Sequence, residues 1–407
     1  MPNSPSLAST PSPGTVPPFL HWTEAGQPCT ARWHSERGAP PPKRVTLADD
    51  TTTADAAYRA ACEGTALLWR GDFQNAMQML QAMTRRCAQP PARKLRKAAK
   101  ESNHAASPPN VFHQYRQAQS QRARILGMLL IPFDADRGIP LRRAPDARQA
   151  CAEAWGPADA GPSMASLREL LGIIGAHEWR KKGIEIPELG EGPNNRIHPY
   201  YGVFSPIRGE YVHLAASAPL PVTGQAKYVA FDIGTGTGVL AAVLARRHVE
   251  QVVAADRDPR ALACARENLA RLGLAGQAQV VLANLFPEGK ASLAVCNPPW
   301  LPARPGSPIE SAVYDEDSRM LLGFLGGLAA HLVAGGEGWL IMSDLAEHLD
   351  LRSRAQLLAA FEGGGLKVLG RLDAKPRHPK ASDAGDPLHA ARAAEVISLW
   401  RLAAVEP

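Results

Sequence analysis

No two cysteines in this chain stand close enough in sequence to form a CxxC pair. Cys29, Cys62, Cys87, Cys151, Cys264 and Cys296 are scattered singly, which excludes a zinc ribbon or a dense disulfide framework and leads us to expect isolated reduced thiols and no bound metal. Long apolar runs are also missing, and none approaches the roughly 20 residues that a membrane-spanning helix needs. The opening MPNSPSLASTPSPGTVPPF lacks both a basic start and an apolar core, so no signal peptide is expected and the expected location is the cytoplasm. There is no internal repeat of short fixed period. Acidic residues are in mild deficit, 39 against 45 Lys and Arg, giving a formal charge of +6 and a pI near 9.0. That excess points toward an anionic partner only if it is clustered.

A chain of 407 residues can hold more than one core. Residues 1–45 are rich in Pro, Ser and Gly and end in GAPPPK, a composition expected to give a disordered tail. Residues 46–190 read as a smaller α/β domain: TALLW is strand-like, GDFQNAMQMLQAMTRR places Phe73, Met77, Leu80 and Met83 at helical spacing, and QSQRARILGMLLIPF reads as a second helix. From 191 to 407 strands and helices alternate: KYVAFDIG, GVLAAVLARR, EQVVAAD, PRALACARENLARLG, AQVVLAN, ASLAVC, SRMLLGFLGGLAAHL, GWLIMSD, GLKVLGRLD and EVISLWRLA. Near-continuous apolar strands in such an alternation predict an α/β doubly wound sheet of seven strands, covered on both faces.

Two stretches carry the chemistry. In FDIGTGTG, Asp232, Gly234, Gly236 and Gly238 fall at a strand-to-helix turn where the absence of a Cβ lets a ligand approach the backbone. Asp256 closes the next strand, where a carboxylate can accept from both hydroxyls of a ribose. The glycine spacing is not the dinucleotide one, so a nucleoside without phosphates is expected. In VCNPPWLP, Pro298 and Pro299 stop the strand after Cys296. The Asn297 carboxamide oxygen and the Pro298 carbonyl become two acceptors able to converge on a planar NH2, with Trp300 as a flat face beside them. The alternative for Trp300 is plain core packing.

With these motifs in order, the segment from Tyr201 to Ala403 resembles class I S-adenosylmethionine-dependent methyltransferases of the small-domain type, with an Asn-Pro-Pro-aromatic loop. The resemblance implies a Rossmann-like seven-stranded methyltransferase sheet and S-adenosyl-L-methionine as cofactor. It implies that Asp232, Gly234 and Gly236 hold the methionine part, that Asp256 takes the ribose, and that Gly238 completes the turn. Asn284, followed by Leu285, stands where the family usually has an Asp for the adenine amine. Phe204 and Pro206, in the lead-in YYGVFSPIRGEYVHL, are expected to cover the cofactor, and Glu210 is part of that pocket, a surface carboxylate or a partner of Arg208. Asn297, Pro298, Pro299 and Trp300 are the expected catalytic loop, with Asn297 also touching the cofactor.

The loop serves adenine, guanine and glutamine amino groups alike, so the acceptor must be judged elsewhere. LLWRGDFQNA and VFHQYRQAQSQRAR resemble the N-terminal domain of ribosomal RNA guanine-N2 methyltransferases, and release-factor glutamine methyltransferases are a more distant likeness. Arg93, Lys94, Arg96 and Lys97 lie in a basic insertion, and Lys375 and Arg377 form a second basic cluster. Both are expected to bind substrate phosphates. The leading expectation is therefore N-methylation of ribosomal RNA on a guanine or adenine. The alternatives are a protein glutamine methyltransferase acting on a release factor or ribosomal protein, and an inactive RNA-binding scaffold.

Overall fold

The computed structural model of the protein describes residues 18–88, 107–158, 161–192, 194–306, 309–377 and 383–405. These divide into two compact units, the first running to Ser107 and resuming over His113–Glu178, the second comprising Pro108–Phe112 and the chain from Trp179 onward.

In the first unit, strands β1 (Phe19–Glu24), β2 (Gln27–Trp33), β3 (Arg44–Ala48), β4 (Thr65–Trp69), β5 (Leu129–Phe133) and β6 (Ser163–Ser166) form one mixed sheet in the order β1-β2-β6-β5-β4-β3. Helices α1 (Ala54–Cys62), α2 (Phe73–Ala88), α3 (Pro108–Leu126) from His113 onward, α4 (Arg148–Trp155) and α5 (Leu167–Lys182) as far as Glu178 accompany them. Two sequence expectations need correction here. Residues 1–17 lie outside the described residues, but the rest of the expected tail is structured. Phe19–Glu24 and Gln27–Trp33 pair antiparallel around Ala25-Gly26, both at positive φ (49° and 75°), the conformation a two-residue hairpin turn demands. Leu20, Ala31 and Trp33 are buried against Ala66, Leu68 and Leu130, and that burial offsets the ordering cost which composition alone made look unaffordable. The second correction concerns QSQRARILGMLLIPF: the helix ends at Leu126 with Gly127 as its cap, and Leu129–Phe133 is a fully buried strand. A short apolar run carries no periodicity to tell the two apart.

The second unit begins with a small hairpin, β7 (Ile184–Glu185) and β8 (Arg196–Ile197), and helix α6 (Glu210–Ser217). The strand–helix alternation then runs β9 (Val229–Ile233), α7 (Val239–Arg246), β10 (Gln251–Asp256), α8 (Pro259–Arg271), β11 (Ala278–Leu282), β12 (Ala291–Cys296), α9 (Arg319–Leu328), β13 (Leu332–Ser343), α10 (Leu345–His348), α11 (Arg354–Gly363), β14 (Leu366–Ala374), α12 (His389–Ala394) and β15 (Ile397–Ala404). All seven expected strands are present, ordered β11-β10-β9-β12-β13-β15-β14, with β15 antiparallel to both neighbours. One apolar layer, around Leu240, Val243, Leu269, Val295 and Trp339, covers one face; Leu321, Phe324, Leu328, Leu340 and Phe361 cover the other. The chain winds outward from β9 in one direction and from β12 in the other. In such sheets a crevice opens at the carboxyl ends of the two central strands.

Candidate active site

At the carboxyl end of β9 the chain turns sharply through three glycines. Gly234, Gly236 and Gly238 have φ of 72°, 54° and 81°, a region that costs other residues strain. The main-chain N–H groups of Gly234 and Thr235 both donate to the Ala255 carbonyl at 2.9 Å, stitching the turn to β10. A Cβ on Gly234 would run into the Met320 methyl group. Asp232 is buried beneath the turn, its Oδ2 accepting from Thr235 Oγ1 (2.6 Å) and from the Ala241 N–H (2.9 Å) at the start of α7. Burial pushes its carboxyl up to about 6, against the opposing pull of those two donors.

Asp256 ends β10 half-buried. Its Oδ2 accepts from the Gly236 N–H at 3.0 Å and its Oδ1 from the Asp258 N–H at 2.9 Å. A carboxylate oxygen has two acceptor positions, so each of these bonds leaves one on its oxygen, and the residue retains the capacity to take a vicinal diol. The glycine turn and this carboxylate fit the adenosine and methionine parts of S-adenosylmethionine.

One strand away, all six residues of β12 are buried, and Asn297 emerges from it half-exposed, followed by buried Pro298. The Trp300 indole Nε1 donates to Asn297 Oδ1 at 2.9 Å. Trp300 packs against the apolar layers on both sheet faces, so the core-packing alternative holds for much of its ring. Its carbonyl accepts from Arg352 Nη2 (3.3 Å), whose other terminal nitrogen lies 3.5 Å from Ser318 Oγ. Beyond Trp300 the loop is tied down again, Leu301 N–H donating to Val313 O (3.1 Å) and Asp315 N–H to Leu301 O (2.9 Å).

The remaining expected residues fall less uniformly. Phe204 is exposed and Pro206 buried, both ahead of α6. Asn284 is exposed just past β11, and Leu285 beside it takes a positive φ of 72°. Lys375 and Arg377 are exposed after β14. Glu210 is not the partner of Arg208: it accepts from the Arg377 N–H, while Arg208 lies 4.0 Å from Glu395. Arg93, Lys94, Arg96 and Lys97 lie outside the described residues.

Asn268 was not singled out by the sequence reading. Fully buried, it accepts from the His198 N–H (2.8 Å) and donates to the Thr237 carbonyl (3.0 Å), joining the lead-in segment to the glycine turn. An amide on the face of α8 that also carries Cys264, Ala265 and Leu269 was the available signal, because a buried polar side chain is retained only with partners. Asp315 likewise went unnoticed; its carboxylate accepts from the N–H groups of Met320 (3.0 Å) and Leu321 (3.1 Å) at the start of α9.

Residues 197–353 match the family model described as methyltransferase small domain. The matched residues lie within the second unit. Asp232, the glycine turn, Asp256, Asn297 and Trp300 all fall inside the matched residues. A ribosomal protein L11 methyltransferase of Pelotomaculum thermopropionicum is 49% identical over 69 residues, 16% of this chain and 22% of that protein. A release factor glutamine methyltransferase of Deinococcus radiodurans is 35% identical over 162 residues, 38% of this chain and 58% of that protein. Among solved structures, a ribosomal protein L11 methylase from Lactobacillus delbrueckii subsp. bulgaricus is similar at 19% identity and a TM-score of 0.30, covering 48% of this chain and 78% of that one. The chain spans 22% and 58% of the lengths of these two curated relatives.

Proposed function

We propose that the protein is an S-adenosylmethionine-dependent N-methyltransferase whose acceptor is a planar side-chain amide of a translation-associated protein. The observation that carries the reaction type is the Asn297 carboxamide, held by a neighbouring donor at the mouth of β12, one strand from the glycine turn and Asp256. When bound, the cofactor supplies an electrophilic methyl group. Asp256 takes the ribose hydroxyls, and the turn from Gly234 to Gly238 gives the methionine part close access to the backbone. The Asn297 oxygen and the Pro298 carbonyl each accept one N–H of the acceptor. A conjugated NH2 has its lone pair delocalised; two acceptors that hold its hydrogens favour the pyramidal nitrogen needed for bonding to carbon. The proton leaves from a cationic nitrogen, so no strong base is required.

The polypeptide acceptor is supported by the relatives, named for ribosomal protein L11 and for release factor glutamine. Arg93, Lys94, Arg96 and Lys97, the main basis for an RNA acceptor, lie outside the described residues. Phe204, Pro206, Asn284 and Leu285 remain our assignments for the rim of the cofactor site, and Lys375 and Arg377 for the substrate side.

The test is transfer of labelled methyl groups from the cofactor to cell extract and to purified release factor and ribosomal proteins, with ribonuclease-treated and protease-treated arms. Label is expected in protein, insensitive to ribonuclease, and Asn297→Ala is expected to lower turnover by about 10²–10³-fold while binding cofactor normally. Label in RNA would overturn the polypeptide acceptor, and no label in any fraction would overturn the methyltransferase reading.

A further inference from the structure

The two ends of an asparagine carboxamide are nearly identical in shape and opposite in chemistry: one oxygen that accepts, one NH2 that donates. If the NH2 end faced the acceptor nitrogen, donor would meet donor and the loop would repel the group it must hold. Something has to choose the orientation, and the sequence around Asn297 offers little, since Pro298 and Pro299 have no N–H to contribute.

We propose that Trp300 is a positioning residue whose indole N–H fixes the Asn297 carboxamide with its oxygen available to the acceptor; the proposal rests on the function proposed above. Indole Nε1 is a donor only, so its partner at 2.9 Å must be the Asn297 oxygen. That bond occupies one of the two acceptor positions on Oδ1 and leaves the other for a substrate N–H. The indole itself is anchored: its ring packs against both apolar layers, its carbonyl is gripped by Arg352, and the residue after it is bonded to Val313 and Asp315. A phenylalanine at this position would fill much of the same space and could still stack on a planar group, but it has no donor. The amide would then be free to turn over.

An orientation lock predicts a particular non-additivity. With Asn297→Asp both ends of the side chain accept, and orientation no longer carries information. Trp300→Phe should lower kcat about tenfold in the parent, the loss expected for one net hydrogen bond, with KM for the cofactor changed less than about twofold. In the Asn297→Asp background the same substitution should change kcat by less than about twofold. An equal loss in both backgrounds would overturn the proposal and leave Trp300 as packing alone. A second measurement does not depend on turnover: with nitrogen-labelled tryptophan the eight indole groups give separate N–H signals, and the one lost in Trp300→Phe should move upfield in Asn297→Ala. An unmoved signal overturns the lock whatever the acceptor is. If the parent transfers no methyl group while that signal moves as expected, the proposed reaction fails and the hydrogen bond stands.

Discussion

Asp232 contributes one identifiable slope to the pH response of the second unit's stability. Its carboxyl, ordinarily at 3.8, is raised to about 6 by burial. Below about pH 4 folded and unfolded chains both carry the proton; between about 4 and 6 only the folded chain keeps it, so this residue's contribution to stability falls as pH rises through that window and then levels off. Asp232→Asn, neutral throughout, removes the slope. Urea denaturation from pH 4 to 7 should show the variant gaining on the parent toward neutral pH, by about 2 kcal/mol at most. A trend in the opposite direction would mean that the donors Thr235 and Ala241 outweigh burial. Asp256 is a different case, because the ribose contact proposed for it comes in addition to its support of the turn through Gly236. Asp256→Ala should weaken cofactor binding by more than the roughly 0.5–1.5 kcal/mol of a single hydrogen bond, and calorimetry giving unchanged affinity would remove it from the site.

The glycine turn is the element in which sequence and structure agree most closely, and the reason is steric. Three positive-φ positions in five residues leave glycine as the economical solution, so the spacing itself reports the turn. Gly234→Ala adds a strained φ and a collision with Met320. A loss of about 1–3 kcal/mol from the left-handed backbone is expected by urea denaturation, with only part recovered in Gly234→Ala/Met320→Ala; full recovery would assign the whole cost to the methionine. The parallel strands were legible for a similar reason, since strands buried on both faces are written as unbroken apolar runs. The Phe19–Trp33 hairpin was not, because averaging over a proline-rich stretch hid a short alternating segment. Nor was the Asn297–Trp300 bond, which depends on side-chain direction after two prolines and leaves no mark in spacing.

The two units differ in what their strand-to-helix turns hold. In the first, the turn Arg70-Gly71-Asp72 between β4 and α2 is filled by the Asp50 carboxylate, which accepts from the Asp72 N–H at 3.0 and 3.2 Å and occupies the space a side chain at Gly71 would need. Buried Asp72 is in turn engaged by Arg142 (2.9 Å) and Arg143 (2.7 Å). With its own carboxylate in that place, the first unit has no vacancy for a nucleoside there. Hydrogen exchange with added S-adenosylhomocysteine should therefore slow at 232–238, 256–258 and 284–285 and leave 70–74 unchanged. Slowing at 70–74 would show that the first unit takes the ligand as well.

The antiparallel β15 sits between β13 and β14 although it follows both in sequence. During synthesis β14 leaves the ribosome with its eventual neighbour still unmade, and the outer edge of β13 stays open until residues 397–404 arrive. A nascent chain paused within α12 carries the glycine turn, Asp256 and Asn297 complete, on a sheet whose flank offers unpaired strand edges to any passing chain. The vulnerable interval in this protein's life is thus set by translation speed over the stretch from β14 to β15, downstream of the glycine turn, Asp256 and the Asn297 loop.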